Sequence, residues 1–133
     1  MAAFTTIRFT DLDNHLEEVG GEFRMGREPL ESPQVGVTWI RLPSGESTQG
    51  EKGHYHDHQD EVYVVVSGGP VEFKVGEELA ELGTGEAIRI DATEIHALRN
   101  RGSEAVILAA SGQLPEAGDD SHPVDGFWPA DAG

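Results

Sequence analysis

A chain of 133 residues without a single cysteine suits one domain with one core, and it excludes disulfides, cysteine-held zinc, thiol nucleophiles and iron–sulfur clusters. Twenty-five acidic residues against nine basic ones leave a net charge of −16, which repels phosphate backbones and anionic lipid and argues against nucleic acid or a membrane surface as partner. The first residues lack a basic segment leading into a long apolar run, and no stretch approaches the roughly 20 apolar residues of a spanning helix, so a cytoplasmic location is expected.

In chain order, residues 1–34 read as an N-terminal arm of the same domain. Residues 11–19 form a short helix or an irregular stretch, and 22–33 are too rich in Gly, Pro and charge to assign. The run 35–42 is a strand with Val35, Val37, Trp39 and Arg41 on one face, ended by Pro43-Ser44-Gly45. The run 61–67 is apolar on both faces and should be a buried central strand, ended by Ser67-Gly68-Gly69-Pro70. Residues 71–75 and 78–82 make a hairpin through Gly76-Glu77, with one wet face. Further turns lead into 87–90, into 95–100 and into a last strand at 106–110. Short strands linked by tight turns, with no competing amphipathic helix, predict an all-β fold, a small antiparallel β-barrel or jelly roll, with its core at 35–112. The tail, 113–133, is acidic, but its Phe127-Trp128 pair should anchor it on its own barrel or on a neighbouring subunit.

The most informative pattern is His54-Tyr55-His56, then Glu61, then His96. On a strand, residues two apart share a face, so His54 and His56 can grip one ion. Glu61 has the opposite parity, and the polar turn 57–60 restores its direction if 54–56 and 61–67 form a hairpin. His96 joins them only if its strand lies alongside inside a nearly closed sheet. Three imidazoles and a carboxylate suit one divalent transition metal, Mn, Fe, Ni, Cu or Zn, and leave positions open for water, substrate or dioxygen. A solvated cluster of histidines is the plainer alternative; a strongly apolar strand opening on a carboxylate speaks against it. His58, in the turn, is expected to be solvated or to support a ligand rather than to be one.

These residues resemble the cupin superfamily over roughly 35–112. Its first motif, His-x-His, four residues, Glu, six residues, Gly, is met by His54, His56, Glu61 and Gly68; its second is met by Gly85, His96 and Asn100. Two departures stand out. Asp91 and Thr93 replace the second motif's Pro and Gly, so that turn should be made by the Asp91 side chain bonding nearby backbone, and Thr48 stands where the first motif's leading glycine would be. The resemblance implies a cupin double-stranded β-helix, a homodimer, and a metal held by His54, His56, Glu61 and His96. It also places Tyr63, Phe73, Arg41 and Leu98 beside a small organic ligand, with Asn100 as a helper.

Two classes of function follow from that resemblance. One is a metal-dependent enzyme acting on a small organic molecule, either a dioxygenase or a lyase or isomerase with Glu61 or a bound hydroxide as base. The other is a non-catalytic cupin that binds a metal or a small ligand.

Overall fold

The computed structural model describes residues 3–116 and 118–129; the expected arm and tail also take in residues 1–2, 117 and 130–133, which lie outside the described residues. The described residues form eight strands: β1 (Glu22–Met25), β2 (Gly36–Leu42), β3 (Gly53–His56), β4 (Glu61–Val75), β5 (Glu78–Leu82), β6 (Ala87–Ile90), β7 (His96–Ser111) and β8 (Ser121–Val124). All pairings are antiparallel within one curled sheet. The fold is all-β, and no helix among the described residues is long and apolar enough to cross a membrane.

The organising element is the β4–β7 ribbon. Glu61 pairs with Ser111 at one end and Val75 with His96 at the other, yet Glu61 and His96 touch at 3.0 Å. The ribbon must therefore double back on itself, and its fold lies at the register shifts between Val65 and Val71. Ser67-Gly68-Gly69-Pro70 does not end the strand as expected; it bends it. Gly68 and Gly69 take left-handed φ values of 73° and 90°, and a Cβ on Gly68 would lie 1.9 Å from the Glu104 carbonyl oxygen, so only glycine lets the two strands cross at the bend.

Inward parity then fills the bend with apolar side chains. Val65, Val71, Phe73, Leu42, Ala105 and Ile107 are fully buried. Ile40 and Leu42 give β2 its inward face, so Trp39 and Arg41 point outward, where Trp39 stacks on Phe9 of the arm.

The ends of the chain join the sheet. Part of 22–33 becomes β1 on the edge of β2, and the arm before it is two short 3-10 turns, Phe9–Asp11 and Glu17–Val19. Asn14 clips that arm to β1 by accepting from the Leu16 and Phe23 amides and donating to the Gly21 carbonyl. In the tail, residues 121–124 form β8 against β3. Of the two docking places expected for Phe127-Trp128, the tail takes its own barrel: Lys74 Nζ lies over the Phe127 ring and the Arg99 guanidinium over Trp128, while Trp128 N–H donates to the Glu51 carbonyl.

Candidate metal centre

At the open end of the doubled ribbon, three strands deliver the four expected donors to one point. β3 supplies His54 and His56, β7 supplies His96 directly across the ladder from His54, and β4 opens on Glu61. The hairpin expected to aim Glu61 does not exist, since β3 bonds only to β7 and β8. Instead the turn 57–60 carries the chain from β3 to the far flank of β7. It is pinned by Gln59 Nε2 donating to the Gly112 carbonyl, and by Asp60 accepting from the Ala92 amide.

The Nε2 atoms of His54, His56 and His96 lie 3.1, 2.9 and 3.0 Å from one oxygen, Glu61 Oε1. Each ring's other nitrogen faces an acceptor: Gln49 Oε1 for His54, Asp120 Oδ1 for His56 and the Glu94 carbonyl for His96. Those acceptors put the hydrogens on Nδ1 and leave the neutral rings with Nε2 lone pairs aimed at an anionic oxygen. That arrangement is repulsive unless a cation sits among the four atoms or protons take its place. Donors that bind a transition metal at about 2.0–2.2 Å and at right angles are about 3 Å apart, which is the spacing of each Nε2 from Glu61 Oε1, and His54, Glu61 and His96 all lie close to one another. His54, Glu61 and His96 fit one divalent ion, and His56 faces the same carboxylate oxygen.

Burial opposes ionisation of Glu61, but hydrogen bonds from the three histidines overcome it and hold its carboxyl far below the usual range. Burial likewise opposes charge on His56, yet Glu61 and Asp120 on either side push it up to about 9. Tyr63 donates to Glu61 Oε2 at 2.8 Å and lies 3.4 Å from His96 Nε2. Burial, together with that carboxylate, raises its phenol well above 10 and keeps it protonated.

His54, His56, Glu61, Tyr63 and Leu98 line a cleft of about 870 Å³, within the size range of small-molecule sites. The arm contributes Asp11 and His15 to its wall, and the tail contributes Leu114 and Asp119. Three residues expected beside the ligand sit elsewhere. Phe73 is sealed in the core against Tyr63, ring centroids 5.3 Å apart. Arg41 is turned outward by the parity of β2 and bonds Glu22, Glu104 and the Gly20 carbonyl. Asn100 is fully buried and spends its amide on the Leu42 and Ser103 carbonyls and the Gly102 amide, which fixes the turn and occupies its polar atoms.

His58 is exposed, and its backbone N–H donates to Asp120. The turn before His96 is not held by Asp91, whose carboxylate pairs with Arg89; Asp60 supplies the side-chain bond to its backbone. Thr93 adopts the left-handed conformation, φ 74°, of the glycine it replaces. Asp120 and Gln49 were not anticipated. Gln49 lies five residues before His54 in an unpatterned loop, and Asp120 lies 64 residues beyond His56, so no local signal marks either.

A model of the cupin domain matches residues 38–111, more than half the chain. The chain belongs to the cupin superfamily. Solved structures agree on the fold. A cupin protein from Bacteroides fragilis superposes with a TM-score of 0.69 at 17% identity, over 87% of this chain and 89% of that one. Oxalate decarboxylase from Bacillus subtilis gives 0.72 at 18% identity over 92% of this cupin, which spans 33% of that enzyme. A variant of Streptomyces PAC13 with uridine gives 0.67 at 16% identity over 98% of this cupin and 95% of that protein. No curated protein sequence matches.

Proposed function

We propose that this cupin is a metal-dependent enzyme acting on a small polar organic molecule, by dioxygenation or by lyase or isomerase chemistry. The observation that carries it is the convergence of three imidazole Nε2 atoms on Glu61 Oε1, with His54, His56 and Glu61 lining an open cleft. A bound divalent ion would polarise a substrate oxygen or present dioxygen. The chain's own residues would do the rest: His54, His56, Glu61 and His96 would hold the ion, and Leu98 with the arm's Asp11 and His15 would wall the substrate's cleft. Tyr63 donates to the second oxygen of Glu61 and would hold that carboxylate in place. Two structural relatives bear names consistent with a small polar ligand, one an oxalate decarboxylase and one solved with uridine.

Metal content by elemental mass spectrometry, on protein purified without chelators, tests this reading. Near-stoichiometric metal in the wild type, lost in His96→Ala, supports it and opens oxygen-uptake, lyase and isomerase screens. No metal in either protein overturns it in favour of a non-catalytic small-ligand binder.

The same proposal includes a homodimer, to which the exposed apolar side chains Val66 of β4 and Val35, just before β2, 46% and 50% exposed, could contribute. Light scattering at the mass of one chain would remove that part.

A further inference from the structure

The four donors all lie inside the family-matched span, 38–111, but one of them leans on a residue outside it. Asp120, at the start of β8, is only 7% exposed. Its Oδ1 is 2.9 Å from His56 Nδ1, and its Oδ2 accepts from the His58 amide at 2.7 Å. β8 holds it there by pairing Ser121 with His56 and continuing to Gly53 opposite Val124. His54 and His96 rest their Nδ1 atoms on neutral oxygens, the Gln49 amide and the Glu94 carbonyl, so His56 is the imidazole of the set with a charged partner behind it.

A carboxylate in that place fixes the ring's rotation and tautomer and strengthens Nε2 as a donor. His56, Asp119 and Asp120 could be taken for a cation site of their own. The bonds on the page argue otherwise: both Asp120 oxygens already accept from His56 and His58, and Asp119 Oδ1 accepts from the Ser121 amide. The cluster is a clasp between tail and ligand strand.

We infer that Asp120 is a positioning residue for His56, so that the C-terminal tail, and not the barrel alone, sets the strength of the metal centre. The inference rests on the metal reading above. It makes one tail side chain, Asp120, a control point: its loss weakens metal binding without touching a ligand.

Cobalt(II) titration followed by visible absorption, with a competing chelator for affinity, tests it on the full chain in wild type, Asp120→Asn, Asp120→Glu, Trp128→Ala and His96→Ala. The expected result is a 10–100-fold loss of cobalt affinity and a shifted ligand-field band in Asp120→Asn. Partial recovery is expected in Asp120→Glu, with Trp128→Ala, which loosens the same tail away from His56, staying within twofold of wild type. Asp120→Asn binding like wild type with an unchanged band, while His96→Ala has lost cobalt, overturns the inference and leaves the metal reading standing. A loss in Trp128→Ala equal to that in Asp120→Asn also overturns it, since the effect would then come from tail docking alone. Wild type that takes up no cobalt overturns the metal reading and the inference with it.

Discussion

The two extremes of the β4–β7 ribbon are built from the same strands to opposite ends. At the bend, inward positions carry Val65, Val71, Ala105 and Ile107, all fully buried, and glycine lets the strands cross within van der Waals contact. At the open extreme, the same inward positions carry Glu61 and Tyr63, which line a cleft, and His96, buried directly behind them against Glu61. The dry end sets the angle at which the ribbon returns; the wet end uses that angle to bring Glu61 onto His96 although they lie at opposite ends of the ladder. Stability and chemistry are thus separable by position along one strand pair.

That separation predicts which property each substitution damages. His96→Ala removes a donor from the wet end and should weaken metal binding by more than the roughly 100-fold upper range of a supporting-residue loss, with the far-ultraviolet spectrum of the barrel unchanged. Phe73→Ala works in the opposite direction. Its ring is fully buried in the core between the bend and Tyr63, so truncation should cost about 3–5 kcal/mol in urea unfolding. Below the midpoint, that variant should still load metal; a Phe73→Ala protein that folds but cannot hold metal would join the two ends that the comparison separates.

How the sequence foretold this molecule follows the same division. Strands with clean alternation, 71–75 and 78–82, were legible because period-two spacing is a local pattern, and the local His-x-His-x4-Glu run singled out residues that the fold brings together around Glu61 Oε1. What escaped was long-range. Ser67-Gly68-Gly69-Pro70 reads locally as a stop, and only the paired strand 103–106 makes it a bend. Trp39 and Arg41 invite an inward assignment by size and charge, but Ile40 and Leu42 claim the core face, and one residue of parity reverses every neighbour. β1 and β8 have too little apolar alternation to announce themselves; β1 gains its order from Asn14 and the Glu22 ion pairs, and β8 from lying against β3.

Those ion pairs offer a control that belongs to neither end. Hydrogen bonding from Arg41 is the main cause that holds Glu22 below its ordinary 4.5, with Arg24 assisting. A carboxylate depressed in the folded state contributes stability above the unfolded value, and that contribution disappears as pH falls from about 4.5 through the folded value. Glu22→Gln should therefore cost about 1–2 kcal/mol at neutral pH and narrow its gap to wild type as the pH drops below that window. Thermal melts of both proteins from pH 6 to pH 3 check this. A constant gap would mean that the pair contributes packing and not charge. Metal loading at neutral pH should not change.

The smallest expected effect tests whether the wet end stores strain. Thr93, three residues before His96, holds φ 74°, a conformation in which a β-branched residue costs about 1–3 kcal/mol. Its side chain is exposed, so Thr93→Gly removes no packing. The backbone N–H, which donates to the His56 carbonyl at 2.6 Å, is kept. Glycine adds about 0.5–1 kcal/mol of unfolded-state entropy, which offsets part of the relief, so the net should be a gain of about 1 kcal/mol. Cobalt affinity decides what the strain is for. If Thr93→Gly is more stable and binds as tightly, the substitution in the second motif is a tolerated local cost. If it is more stable and binds more weakly, the strained turn holds His96 and His56 in place, and stability has been exchanged for ligand geometry at the open end.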